Sequence, residues 1–233
     1  MAQNVGMGYR SEIDSPEGMV QLIAANFLRH GYYWYVTGRV PTGKSAKTID
    51  AKLIEKYGID VSAWERTRRK KAGIANAKYV RFQDWFILLV TEGHHPIKQP
   101  EHQGGEKSQL RDCRRVPIKF RGYSISYRRG RITPKGNEAP KWHAHVRIDR
   151  STYTNMKSHF VDIACHRTVD SLSRELKAIP FARYAPIRRQ LLNLLRTINQ
   201  ARASQGFDAV PVEALKLRRV PVTVFATSSK NEE

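Results

Sequence analysis

Lys141-Trp142-His143-Ala144-His145-Val146-Arg147-Ile148 alternates without a break. Trp142, Ala144, Val146 and Ile148 fall on one side of an extended chain, and Lys141, His143, His145 and Arg147 on the other. Successive side chains of a strand point to opposite faces, so this period of two predicts a half-buried strand. Its apolar face is expected to pack on a core, while the other face presents two imidazoles flanked by cations. Neutral imidazole is a common ligand of divalent metals, and histidines at i and i+2 on a strand can share one ion. The competing reading is an exposed strand whose histidines simply cover the sheet.

The rest of the chain bounds what such a strand serves. Its 233 residues, 40% of them hydrophobic, are enough for a packed core. The formal net charge is +20 and the sequence pI is near 10.3. An excess of that size repels itself unless a polyanion is near, which makes nucleic acid the leading partner and an anionic membrane surface the weaker one. No stretch approaches the roughly 20 apolar residues of a membrane span. The segment Met1 to Arg10 lacks the apolar centre of a secretory signal. Cys113 and Cys165 are the only cysteines and neither belongs to a CxxC pair, so a zinc knuckle or a disulfide framework is unsupported. A reducing cytoplasm is the expected compartment.

Upstream, Ser15, Pro16 and Glu17 form a helix start as N-cap, first-turn proline and first-turn acid. Met19, Val20, Ile23, Phe27 and Leu28 continue a helical stripe that Gly31 can stop. Tyr32 to Val40 is dense in aromatic and β-branched residues and reads as a strand. Tyr33, Tyr35, Thr37 and Arg39 share one of its faces, where they can stack bases and touch phosphate, or pack under a helix. Ile49, Leu53, Ile54 and Tyr57 predict a short helix closed by Gly58. Ser62-Ala63-Trp64-Glu65 is a capping box opening a helix that carries Arg66, Arg68, Arg69, Lys70 and Lys71. With the global excess of charge, these five cations read as a phosphate-contacting face.

Gly38 to Ser45 matches G-x-x-x-x-G-K-S, the spacing of a phosphate-binding loop. Pro41 removes one backbone donor from it, and the repeated β-α-β units such a fold requires are missing. A nucleotide hydrolase is therefore the least favoured reading.

Trp85 to Thr91 is a continuous apolar run, expected as a central strand, with His94 and His95 just beyond it. Arg114 and Arg115 lead into Val116 to Tyr127, read as one strand with a bulge at Gly122 and paired as a hairpin with the His143/His145 strand. Between them the basic segment from Arg128 to Pro140, with Arg128, Arg129, Arg131 and Lys135, can embrace nucleic acid. Helices are expected after Asp149 or Ser151, through Val169 to Ile179, and from Ile187 to Ile198, the last bearing Arg188 and Arg189. Leu217 to Phe225 reads as a final edge strand because of Pro221.

A tyrosine-rich strand, then further strands, then His-Ala-His on an alternating strand, then tyrosines at following helices: this order resembles the HUH superfamily of rolling-circle initiators, relaxases and single-strand DNA transposases. His143-Ala144-His145 meets its His-hydrophobic-His motif. The resemblance spans residues 32–200 in arrangement. It implies a ferredoxin-like sheet with this strand inside it. It also implies Mg²⁺ or Mn²⁺ on His143 and His145, and a tyrosine that attacks the scissile phosphate. Tyr184, opening a helix near Arg188 and Arg189, is the first candidate nucleophile and Tyr153 the second. His94, His95 and Gln190 are candidates for a third ligand. A phenol near pKa 10 must be activated by a metal or a cation before it can attack.

The sequence thus predicts an α+β domain over residues 1–225: an N-terminal helix over 15–30, a mainly antiparallel sheet of four to five strands over 32–150 with helices on one face, a helical region over 151–206, a last strand over 217–225, and a tail over 226–233. Two functions compete. One is a metal-dependent single-strand DNA nickase or transposase. The other is a non-catalytic, basic DNA- or RNA-binding subunit of a larger nucleoprotein assembly.

Overall fold

The computed structural model describes residues 9–99, 110–130 and 141–225. They form the expected α+β protein, but with two antiparallel sheets of four and three strands instead of one. Where the sequence reads as a single domain, the chain divides into two compact units. The first draws its described residues from Met1–Pro117, Tyr127–Ala144 and Val222–Glu233, the second from Ile118–Ser126 and His145–Pro221. No described helix is long and apolar enough to cross a membrane.

In the first unit, helix α1 (Pro16–Gln21) starts as read: the Ser15 hydroxyl accepts from the Gly18 N–H at 3.0 Å. The helix runs on through a π-helical stretch, Leu22–Phe27, and a 3₁₀ turn, Leu28–His30, and ends at Gly31 with φ 90°. Strand β1 is Trp34–Arg39, followed by α2 (Ala46–Lys56) and α3 (Ala63–Lys71), the latter with Ser62 accepting from the Glu65 N–H at 3.1 Å. Then come β2 (Ala77–Phe82), β3 (Trp85–Val90) and the short β4 (Arg111–Asp112). The order is β2-β3-β1-β4 with antiparallel neighbours, so β1 and β2 run the same way with β3 between them. That is the split β-α-β arrangement of ferredoxin-like sheets.

β3 explains its own unbroken apolar run. Leu88 and Val90 face a core with Tyr57, Ile59, Ala77 and Tyr79, while Ile87 and Leu89, on the opposite face, are also fully buried. A strand covered on both sides has no polar alternation to show. β2 went unread because Lys78 and Arg81 interrupt its pattern. Arg81 is 4% exposed: its Nε donates to both Asp50 oxygens at 3.0 and 3.1 Å, and Glu12 lies 3.3 Å from its Nη2. The Tyr79 hydroxyl donates to the same Asp50 carboxylate.

The phosphate-loop spacing has a different cause here. Gly38 sits within β1, where an added Cβ would lie 2.3 Å from the Phe86 ring, so its lack of a side chain admits an aromatic ring. The Lys44 N–H, which such a loop needs for phosphate, donates to Pro41 O at 3.1 Å. The antiparallel sheet around it is also the wrong scaffold.

The three-stranded sheet has the order β5-β6-β7, with β5 at Ile118–Phe120, β6 at Tyr123–Arg129 and β7 at Trp142–Ile148. The stretch read as one strand with a bulge is a hairpin: Phe120 pairs with Tyr123 across Arg121-Gly122, both with positive φ (40° and 78°). Two consecutive left-handed residues make the tight turn that suits twisted strands. β7 lies at the end of this sheet and not inside the larger one, contrary to the expectation from the resemblance. The division between units falls within β6 and β7, after Ser126 and after Ala144.

The second unit adds α4 (Arg150–Ile163), α5 (Val169–Lys177) and α6 (Ala185–Ala203). Phe160, Leu172, Leu176, Ile187, Leu191, Leu194 and Ile198 bury their periodic faces, along with Ile118, Ile125, Val146 and Ile148. At Ile148 the Gln190 amide stands in for a neighbouring strand. Its Oε1 accepts from Ile148 N at 2.9 Å and its Nε2 donates to Ile148 O at 3.1 Å. Two buried arginines hold carbonyl oxygens. Arg202 reaches Ala164, Arg167 and Asp208, and Arg183 reaches Ile179, Phe181 and Lys216. The expected last strand is absent: residues 217–225 carry no ladder. Pro221 has no donor, and Val222 finds both its partners on the Gln21 side-chain amide, at 2.8 and 3.3 Å.

Candidate nucleic-acid interface

Half of β7 behaves as its alternation demands. Val146 and Ile148 are fully buried, but Trp142 is 49% exposed and Ala144 half-buried. Instead of entering a core, Trp142 stacks on Tyr127, with ring centroids 5.8 Å apart and planes 14° from parallel. Tyr127 stacks in turn on Tyr33 at 4.8 Å and 26°. The Arg114 guanidinium lies 4.7 Å from the centre of the Tyr33 ring. The result is a ladder, Arg114–Tyr33–Tyr127–Trp142, built wholly in the first unit from four separate segments.

Backbone bonds fix the spacing of this ladder. Cys113 N donates to Tyr33 O at 2.9 Å, and Tyr127 N donates to Cys113 O at 3.4 Å. Arg114 is held in place by Asp112 at 2.8 Å and Glu92 at 2.8 Å, which raise its already high pKa. Burial, then the hydrogen bond with Tyr127, pushes the Tyr33 phenol up to about 12, so its ring is a neutral stacking surface at physiological pH. Burial likewise pushes the Cys113 thiol up to about 12, which makes it inert as a nucleophile. In sequence, exposed cations flank three of the four rungs: Arg115 beside Arg114, Arg128 and Arg129 beside Tyr127, and Lys141 beside Trp142.

The other expected contact residues divide. On α3, Arg68 and Arg69 are tied to Glu65 at 2.9 and 3.3 Å, and the Arg68 hydrogen bond is the main cause lowering that carboxyl's pKa. Arg69 also donates to Gly58 O and Arg66 to Val61 O. Lys70 and Lys71 are exposed. Arg39 pairs with Asp84 at 2.5 Å. In the second unit Arg188 and Arg189 are exposed in the first turn of α6, and Arg147 is half-buried on β7. Arg131 and Lys135 lie outside the described residues.

Each expected catalytic or ligating side chain has its own surroundings. The Tyr153 hydroxyl donates to Gln190 O at 2.9 Å, and burial raises its pKa despite Arg147. Tyr184 stands at the N-cap of α6 with Arg219 4.2 Å from its ring centre; its hydroxyl is buried, and burial raises this pKa too. A nucleophile requires the opposite shift. His143 is exposed and His145 half-buried on β7, with the division between units falling between them. His94 is exposed at the end of the first sheet, its backbone bridged to Gly73 and Ala75. His95 is buried, its ring accepting from Ile97 N and meeting Tyr57 O. Gln190 commits its amide to Ile148. Among the described residues no three imidazole, thiolate or carboxylate groups are placed to hold a metal ion.

No protein-family model, curated protein or solved structure matches this chain. Any function must therefore rest on its own geometry.

Sequence reading missed Tyr127 and Trp142 as stacking surfaces. Tyr127-Arg128-Arg129 and Lys141-Trp142 do carry the aromatic-beside-cation signal of a nucleic-acid surface. The pairing of their strands is expected from sequence; the approach of Tyr33, which sequence does not give, is what completes the ladder.

Proposed function

We propose that this protein binds single-stranded nucleic acid without cleaving it, as a basic subunit of a nucleoprotein assembly in a reducing cytoplasm. The observation that carries the reading is the Arg114–Tyr33–Tyr127–Trp142 ladder in a chain of net charge +20. Its half-exposed terminal indole offers a base a face to stack on, and base–aromatic stacking contributes about 1–3 kcal/mol per base. The flanking arginines and Lys141 offer phosphate contacts, which give affinity with little choice of sequence.

A metal-dependent nickase is the second reading, favoured only by His143 and His145 at i and i+2 on β7. Labelled single strands incubated with and without Mn²⁺, then run on native and denaturing gels, separate the two. Binding predicts a salt-sensitive complex in both conditions and no covalent adduct. A Mn²⁺-dependent covalent adduct that is lost in His143→Ala and His145→Ala replaces it with the nickase. No complex even at low salt overturns both.

A further inference from the structure

The first unit also encloses a cavity of about 1000 Å³, at the upper end of the roughly 300–1,000 Å³ usual for small-molecule sites. At one point of its rim two backbone segments approach closely. Gly31, Gly73 and Gly93 line it with left-handed φ of 90°, 72° and 110°, and a Cβ on Gly93 would meet Gly73 O at 2.5 Å.

Three cations line this cavity: Arg66, Lys70 and Lys78. None of them forms an ion pair with a carboxylate of the described residues. Glu92, the one acid in the lining, is already held by Arg114 at 2.8 Å and by the Trp34 indole N–H at 3.0 Å. Burial and then the neighbouring Arg66 lower the pKa of Lys78, the response of an ammonium crowded by a like charge. An anion in the cavity would relieve that crowding.

A polar group there is also left over. Asn76 is 6% exposed; its Nδ2 donates to Arg66 O at 2.9 Å, while its Oδ1 has no hydrogen-bond partner. Buried amide oxygens are normally satisfied, so this orphan leaves the wall under the cavity polar. Tyr32 and Tyr33 supply aromatic wall on the same cavity.

From these features together we propose that the cavity binds a nucleoside monophosphate, either as a free nucleotide or as one residue of a strand. Arg66, Lys70 and Lys78 would take the phosphate, and the edges of Tyr32 and Tyr33 would meet the nucleoside.

Isothermal titration of the full chain with AMP, CMP, inorganic phosphate and the strand dT12 tests this. The expected result is saturable binding of a nucleotide, weaker for phosphate alone, and weakened at least tenfold in both Lys70→Glu and Lys78→Met. Lys70 is exposed, so its variant keeps the test valid if Lys78→Met unfolds. Loss of the nucleotide signal when dT12 is present assigns the site to a residue of the strand; a persisting signal assigns it to free nucleotide. Absence of saturable nucleotide binding, equal affinity for phosphate, or full binding by Lys70→Glu overturns the proposal. If dT12 still binds while both nucleotides fail, only the cavity assignment falls and the ladder reading stands.

Discussion

Replacing Arg81 by methionine should cost this protein a large part of its stability. The Asp50 side chain is 9% exposed, and Arg81 gives it two hydrogen bonds in addition to its charge. Without the guanidinium, that carboxylate keeps only the hydroxyls of Tyr79 and Ser11, the latter at 3.3 Å. Removing one member of a buried ion pair costs about 3–5 kcal/mol, because the charge left behind is desolvated and uncompensated. Glu12 also loses its partner, but it is more than half exposed and adds little. Against a typical total of about 5–15 kcal/mol, the loss is severe. Urea denaturation followed by circular dichroism measures it through the midpoint at unchanged slope. The double variant Asp50→Leu/Arg81→Met removes both charges, so it should recover most of the loss. An Arg81→Met cost under about 1 kcal/mol, or strict additivity of the two substitutions, would refute the argument.

Three further outcomes follow from the same structure. Gln190→Leu strands the N–H and the C=O of Ile148; at about 1–3 kcal/mol for each unsatisfied group, thermal melting should drop by several degrees, and an unchanged melting temperature would show that the clamp is dispensable. Arg202→Leu removes the donor to Ala164, Arg167 and Asp208 carbonyls and should destabilise by about 2–4 kcal/mol in the same urea assay. The Cys113 thiol is held protonated in the folded state, with its pKa moved from 9.0 to about 12. The unfolded chain releases that proton first, so stability should fall as pH rises from about 9 toward 12 and be insensitive to this group below 9. Melting temperatures of wild type and Cys113→Ala across that window check the sign: the variant should lose less.

Much of the fold was legible because local signals and tertiary structure agreed. Ser15 and Ser62 each cap a helix, Gly31 and Gly58 close two, and the run from Trp85 to Val90 is the central strand it resembles. Misreadings arose where side chains replace backbone partners. Gln21 satisfies Val222, so residues 217–225 need no neighbouring strand, and Arg81 sits inside β2 because Asp50 neutralises it. Charge was legible only in bulk. Arg81, Arg183 and Arg202 are buried fasteners and Arg114 is half-buried, so part of the +20 never faces a partner. His143-Ala144-His145 shows the opposite limit: the letters of a short motif fix a strand but not a third ligand or a nucleophile beside it. The ladder was invisible for a related reason: Tyr33 and Tyr127 belong to different sheets and meet through the backbone of Cys113, which no local pattern announces.

The most direct test of the account is fluorescence anisotropy of a labelled single strand, titrated at several salt concentrations with wild type, Trp142→Ala and Tyr127→Ala. Wild-type affinity should fall linearly with salt on logarithmic axes, as counterion release requires. Each variant should bind about 5- to 150-fold more weakly with the same salt slope, because a stacking face is lost and no phosphate contact is. Equal affinity of all three proteins, or wild-type binding indifferent to salt, would contradict the ladder as the nucleic-acid surface.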